Sequence, residues 1–282
     1  MSDATVHTYT AAADGLFVNS YLIEAPSGVV VVDTNLLASD IAALKSRLAA
    51  LRRPLLGIFV THPHPDHFNG VLELVRDREV PVYATSGVAK MIRAIADAKR
   101  AQWKPMYGDE WPEQTYFPNT ELSDGEQVRF DGLTITAFEL GEGESHADSF
   151  LMAEPEGGDP VAFIGDAAFN GTHPYTADGH TTSWLSTLDR LSRDLTGTRL
   201  FPGHGAPADV GLLADQRRYL MAYREVVRRL AAGSDQLSDA GRAELEATMQ
   251  QFLPDARLTW MIGLGADAVA AELATQAQAA SS

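Results

Sequence analysis

Hydrophobic positions in the first hundred residues alternate between short continuous runs and helically spaced stretches. "FVNSYLIEA" (17–25) and "GVVVVDT" (28–34) are apolar runs around Pro26-Ser27 and predict a hairpin. In "SDIAALKSRLAAL" (39–51) the apolar residues recur at helical spacing behind Ser39, a candidate N-cap. "LLGIFVT" (55–61) predicts a buried strand. From Asp66, "DHFNGVLELVRDR" (66–78) predicts a helix with Val71, Leu72, Leu74 and Val75 on its buried face. "VPVYAT" (80–85) predicts a strand and "SGVAKMIRAIADAKR" (86–100) a helix.

The second half has a similar element order. "EQVRF" (126–130) and "LTITAFEL" (133–140) flank Asp131-Gly132, a hairpin signal. "SFLMAE" (149–154) and "PVAFIGD" (160–166) follow as strands, then a helix near 183–195 and a strand "TRLFPG" (198–203). Two halves of this kind are consistent with an α/β chain whose two sheets pack face to face with helices outside. Residues 1–208 form that unit, and 209–282 form a C-terminal helical appendage. "QWKPMYGDEWPEQTYFP" (102–118), with two Trp, two Tyr, one Phe and three Pro, is too broken for a regular element. It is either a core plug or a pocket wall contributed by Trp103, Tyr107 and Trp111.

Composition narrows the chemistry. The formal net charge is −16, only four of the 22 basic residues are lysine, and no basic cluster stands out, which argues against nucleic acid or an anionic membrane as partner. No apolar run approaches the ~20 residues of a membrane span. The N-terminal "MSDATVHTYTAAADG" lacks a cationic-then-apolar signal, so a soluble cytoplasmic protein is expected. No residue pattern fixes the oligomeric state; a homodimer is allowed. Cysteine is absent, so a metal site must use His, Asp or Glu.

The densest chemistry is "VTHPHPDHFNG" (60–70), which places His62, His64, Asp66 and His67 within six residues of a chain with eight histidines. Side chains two apart in extended backbone point the same way, so His62 and His64 can face one point. The intervening prolines keep that backbone extended. Asp66 and His67, at a helix entrance, can face a second point. Four groups in two directions suggest two metals completed from elsewhere. Three candidates lie at strand ends: His146 in the Gly-rich loop "GEGESHADS", Asp166 ending "VAFIGD", and His204 in "FPGHG". An unneutralised carboxylate after such an apolar strand is costly.

These residues resemble the metallo-β-lactamase superfamily. His62, His64, Asp66 and His67 complete its HxHxDH signature, and the later histidine, the aspartate of "GD" and the final "GH" correspond to His146, Asp166 and His204. "VNSYLIE" and "VVVVDT", including Asp33, resemble its opening strands. The resemblance covers roughly residues 15–207 and implies a four-layer αββα sandwich. It implies one metal on His62, His64 and His146, a second on Asp66, His67 and His204, and Asp166 bridging. Asp33 is expected to support the site without binding metal.

Nitrogen and oxygen donors suit two Zn²⁺, with Fe or Mn as alternatives. The reaction expected is hydrolysis of an ester, lactone or thioester by a metal-bridging hydroxide, with Asp66 orienting the nucleophile and Asp166 setting the metal separation. The aromatic segment favours a small, partly apolar substrate. Asp166 argues against a true β-lactamase, since those enzymes generally lack it. Lactonases of the family typically carry a tyrosine where this chain has Phe169, leaving Tyr175 as the substitute hydroxyl. The loop "NGTHPYTADGH" (170–180) is either solvated or a pocket wall; in the second case His173, Tyr175 or His180 joins Phe169 at the substrate. Glyoxalase II-like enzymes of the family hold glutathione with basic C-terminal residues, for which Arg217, Arg218, Arg224, Arg228 and Arg229 are the candidates; a solvated helix face is the plainer reading of these. The alternatives are a mononuclear iron persulfide dioxygenase-like oxidoreductase and a β-lactamase-like amide hydrolase. His7 is read as a surface residue.

Overall fold

Continuous apolar runs belong to strands buried on both faces, and most of those in this chain form two such sheets. The computed structural model describes residues 5–76 and 78–281. Asp77 of the expected 66–78 helix, residues 1–4 and Ser282 lie outside the described residues. In chain order the elements are β1 (Thr5–Thr10), β2 (Asn19–Ala25), β3 (Gly28–Val32), α1 (Ala38–Ala50), β4 (Leu55–Phe59), α2 (Pro65–Phe68), α3 (Val71–Val75), β5 (Val82–Thr85), α4 (Ser86–Tyr107) and β6 (Thr120–Leu122). Then come β7 (Glu126–Phe130), β8 (Leu133–Gly141), β9 (Asp148–Pro155), β10 (Val161–Gly165), α5 (Thr181–Asp194), β11 (Arg199–Pro202), α6 (Gly211–Ala231), α7 (Asp239–Phe252), α8 (Met261–Leu264) and α9 (Ala266–Ser281).

One sheet has the order β1-β2-β3-β4-β5-β6 and the other β11-β10-β9-β8-β7. Alternation along each strand divides the apolar residues between two layers. Tyr21, Ile23, Val30, Val32 and Phe59 of the first sheet meet Ile135, Ala137, Leu151, Ala153 and Phe163 of the second. Their neighbours Leu22, Val29, Val31 and Ile58 turn outward onto Leu44 and Leu48 of α1, Leu74 of α3 and Ile92 of α4. On the far side, Ala162 and Ile164 pack under Trp184, Leu188 and Leu191 of α5 and Leu213 and Leu220 of α6. The four layers are therefore α-β-β-α, as expected. The second half of α6 serves a different core, with Tyr223 and Val227 packing against Leu245 of α7 and Val269 of α9. Among the described residues, no helix is long and apolar enough to cross a membrane.

The functional loops share one edge because β3 runs parallel to β4 and β10 parallel to β11. Hydrogen bonds lock the two sheets' ends together there. The Ser149 amide donates to Thr61 O at 3.0 Å, the Asn19 amide to Gly203 O at 2.7 Å, and the Tyr21 hydroxyl to Pro202 O at 2.5 Å.

Several local expectations need correction. Segment 102–118 is not wholly irregular: α4 continues through Trp103 to Tyr107 and carries Pro105 in its last turn. The helix stops directly afterwards, at Gly108 with φ +55°. Ser39 lies inside α1 rather than at its cap, and its amide and hydroxyl both donate to Glu110, at 2.9 and 2.7 Å. Residues 5–10, which show no apolar run, form an edge strand through backbone pairing with β2. His7 on that strand is partly exposed and pairs with Glu24 at 2.6 Å.

The expected single helix from Asp66 is two short ones joined at Gly70, and Leu72 is only partly buried. A Cβ at Gly70 would lie 2.0 Å from the Thr34 carbonyl oxygen. Only glycine lets the two segments sit this close. Gly70→Ala is expected to destabilise the protein by about 1–3 kcal/mol in denaturant unfolding; an unchanged midpoint would show that the contact relaxes freely.

Candidate metal centre

The site begins with Asp33, directly after β3, in the left-handed region at φ +58°. Its buried carboxylate accepts from the Thr61 amide (2.9 Å), the Thr61 hydroxyl (2.8 Å) and His67 Nδ1 (2.8 Å). The Thr61 hydroxyl, its proton committed to Asp33, is the acceptor for His62 Nδ1 at 3.1 Å. His62 and His67 therefore both carry their proton on Nδ1 and aim the lone pair of Nε2 inward. His204 is set similarly, with Nδ1 2.9 Å from the Leu16 carbonyl oxygen. His64 is turned the other way round: Nε2 meets Asp178 Oδ2 at 3.1 Å, and Nδ1 faces inward.

The inward atoms converge. His67 Nε2 lies 3.5 Å from Asp66 Oδ2 and 3.5 Å from Asp166 Oδ1. His204 Nε2 lies 3.4 Å from Asp66 Oδ2 and 3.2 Å from Asp166 Oδ2. His62 Nε2 lies 4.0 Å from Asp166 Oδ2 and 3.7 Å from Glu144 Oε2, and His64 Nδ1 lies 3.0 Å from that same Glu144 oxygen. Donors around a cation bound at ~2.1 Å stand roughly 3–4 Å apart, so the spacing suits coordination. Three overlapping groups form: His62, His64 and Glu144; Asp66, His67 and His204; and His62, His67 and Asp166. Asp166 approaches histidines of both of the first two. A Cβ at Gly203 would lie 1.9 Å from Asp166 Oδ1, so the glycine of "FPGHG" is needed for the carboxylate to stand where it does.

The donor set passes a direct test of fit. His62 Nε2, His67 Nε2, Asp166 Oδ1 and both Glu144 oxygens are buried without a hydrogen-bond partner. Buried orphans cost about 1–3 kcal/mol each, and lone pairs aimed at one point are what a divalent cation uses.

Six of the seven expected ligands stand together: His62, His64, Asp66, His67, Asp166 and His204. His146, the seventh, stands apart from them in this structure. Its Nδ1 lies 2.6 Å from His180 Nε2, its side chain is 37% exposed, and Glu144 occupies the place beside His62 and His64. The cause is Asp148, which accepts from the Glu144 amide (2.6 Å) and the Ser145 hydroxyl (2.5 Å) and curls the loop so that residue 144 points inward.

The adjoining cavity, about 50 Å³, is lined by Leu16, Leu36, Trp103, Tyr107, Trp111, Phe169 and Tyr175, with Lys99, Trp260 and Met261. Trp103, Tyr107, Trp111, Phe169 and Tyr175 were expected there; Leu16, Leu36, Lys99, Trp260 and Met261 were not. His173 is not among the lining residues. It is fully buried against the Tyr219 hydroxyl at 2.9 Å, and burial lowers its pKa to about 4. Tyr175 and Lys99 both reach Asp178, at 3.3 and 3.4 Å. Phe169 stacks on His204, with ring centroids 5.2 Å apart.

Crowded charges shift the titrating groups. Burial raises the Glu144 carboxyl to about 8, against the opposing pull of His64. Burial works against charge on His64, but Glu144 and Asp178 outweigh it and raise its pKa to about 10. Burial likewise opposes charge on His204, yet Asp166 and Asp66 raise it to about 10. His62, buried beside two other histidines, is held well below the usual imidazole range. Protons and cations thus compete for one cluster.

The consequence for stability has a definite sign. Raised histidine pKa values stabilise the cation-free fold fully below the unfolded value near ~6.5, and that contribution is lost as pH rises through about 10. Chelator-treated protein is expected to lose roughly 5 °C or more in Tm between pH 7 and 10, and cation-loaded protein far less. Parallel melting curves for the two forms would contradict this.

Comparison with known proteins places the chain. A family model described as the metallo-beta-lactamase superfamily matches residues 13–204. A beta-lactamase-like protein 2 homolog of Caenorhabditis elegans is 28% identical over 200 residues, covering 68% of this chain and 57% of the relative. A hydroxyacylglutathione hydrolase of Prochlorococcus marinus is 29% identical over 151 residues, covering 53% of this chain and 51% of the relative. The chain thus spans little more than half the length of these relatives. Among solved structures, a beta-lactamase domain protein from Burkholderia ambifaria superposes with a TM-score of 0.71 at 22% identity, covering 96% of this chain and 87% of that one.

Proposed function

The chain belongs to the metallo-β-lactamase superfamily, and from that membership we propose that it is a dinuclear metal-dependent hydrolase. Its substrate is a small, partly apolar ester, lactone or thioester. The observation that carries this reading is the convergence of inward lone pairs on two adjacent points that share Asp166.

Two divalent cations, zinc or else iron or manganese, would supply a hydroxide nucleophile near neutral pH and polarise the scissile carbonyl. The protein's own groups do the rest. Asp33 and Thr61 fix the ring orientation of His62 and His67, Leu16 O that of His204, and Asp178 that of His64. Asp66 reaches across between His67 and His204, which suits it to orient the attacking oxygen.

The cavity wall supports an apolar substrate portion. Trp103, Tyr107 and Trp111 form one side, and Trp103 meets Trp260 edge-on with centroids 6.4 Å apart. A cavity of about 50 Å³ is far below the ~300 Å³ of ordinary ligand sites. Substrate entry therefore requires these side chains to part. A relative's name supports thioester chemistry, but a glutathione-like anion would need basic groups at the cavity. Arg217, Arg218, Arg224, Arg228 and Arg229 are each ion-paired, with Asp189, Asp215, Glu272, Glu225 and Glu244 respectively, and none lines the cavity. Lys99 is the cationic lining residue, and Asp178 at 3.4 Å offsets its charge. This favours neutral esters and lactones within the class.

Asp166→Ala is expected to lower turnover at least ~100-fold with the melting transition retained, scored on a screen of lactones, aryl esters and thioesters alongside metal quantification. Near-normal turnover in that variant would contradict the reading. Trp103→Ala is expected to raise KM for substrates with long apolar parts roughly tenfold while kcat changes little. Equal KM values across a chain-length series would return Trp103 to a purely structural role.

A further inference from the structure

We propose that Glu144, and not His146, is the third protein ligand of the first cation position, beside His62 and His64, and that this carboxylate shifts the position's preference from zinc toward manganese or iron. The inference rests on the two-cation reading above and deepens it.

Glu144 is 1% exposed, and neither carboxylate oxygen has a hydrogen-bond partner. Oε2 stands 3.0 Å from His64 Nδ1, and the two form an ion pair when that imidazole is protonated. A buried carboxylate needs a compensating charge; a proton on His64 supplies it in the cation-free protein, and a cation between Glu144, His62 and His64 supplies it in the loaded one. The loop is built to present it. Asp148 holds the Glu144 and Ser145 amides and the Ser145 hydroxyl, and the Ser145 hydroxyl accepts from the Ala147 amide at 3.2 Å. A Cβ at Gly143 would lie 2.7 Å from the Asp148 carboxylate, so this turn needs its glycine. The same turn sends His146 outward to His180, whose other nitrogen lies 3.5 Å from Glu142.

Charge decides the consequence. With His146 as ligand, two cations would share two carboxylates, Asp66 and Asp166. With Glu144 they share three. Imidazole donors suit zinc, whereas carboxylates suit manganese; two histidines and one carboxylate hold either zinc or iron, so exchanging an imidazole for a carboxylate moves the balance away from zinc without excluding it. The extra anion also lowers the net positive charge available to attract an anionic substrate, in keeping with the neutral esters favoured above.

The test is equilibrium dialysis of the full-length protein against zinc and manganese, singly and in competition, with bound metal measured by mass spectrometry. Wild-type protein is expected to hold two equivalents. Glu144→Gln, nearly identical in shape, is expected to bind one of them at least ~100-fold more weakly. Glu144→His restores two equivalents and raises the zinc-over-manganese preference at least ~tenfold. That rescue also keeps the test decisive if the glutamine variant folds poorly. His146→Ala keeps both equivalents. Unchanged affinities in Glu144→Gln, or loss of an equivalent in His146→Ala, would overturn the assignment. A wild-type protein with only one equivalent would instead contradict the two-cation reading; the ligand assignment then stands if Glu144→Gln weakens that equivalent and His146→Ala does not, and falls otherwise.

Discussion

Buried donors that point at one another without a partner are the constraint on which this structure turns. Five such atoms, from His62, His67, Asp166 and Glu144, sit at the joined edges of two sheets. Each alone would destabilise the fold by about 1–3 kcal/mol. They are tolerable together because one kind of guest, a cation or a proton, satisfies several at once. The surroundings commit the opposite end of each imidazole. Asp33 takes His67 directly and His62 through Thr61, Leu16 O takes His204, and Asp178 takes His64. No ring can rotate away without breaking one of these contacts.

The sheets matter because they bring these groups to one place. The parallel pairs β3–β4 and β10–β11 put Asp33, the 62–67 loop, Asp166 and His204 at a common edge. Cross-sheet bonds from Ser149, Asn19 and Tyr21 hold the two edges in register. The C-terminal helices complete the cavity rather than the donor cluster: Trp260 and Met261, at the start of α8, close over it opposite Trp103.

Much of this can be read from the residues alone. Apolar runs and helical spacing are strong signals, and they recover the two-sheet architecture and most element positions. His62, His64, Asp66, His67, Asp166 and His204 announce themselves by density or by standing at strand ends. What could not be read was decided by contacts remote in sequence or by fine geometry. His146 and Glu144 are two residues apart in one Gly-rich loop, and histidine is the commoner ligand; the turn made by Asp148 is what points the glutamate inward. The one available signal was that Asp148 lies four residues after Glu144, close enough to cap a tight turn. Pro105 argues for an irregular segment at Trp103 and Tyr107 because proline usually ends a helix, yet the helix runs through it in its last turn. For His173, nearness to Asp166 in sequence leaves a solvated loop and a pocket wall both open; the ring does neither and turns into the helical core on Tyr219. Lys99 carries no sequence signal of its position, and Trp260 lies over fifty residues beyond the last motif.

The most direct measurement is anomalous diffraction from crystals of cation-loaded protein, collected on either side of each metal's absorption edge. Two peaks are expected roughly 3.5–4 Å apart, one beside His62, His64 and Glu144, the other beside Asp66, His67 and His204, with Asp166 between. A single peak, or peaks away from Asp166, would contradict it.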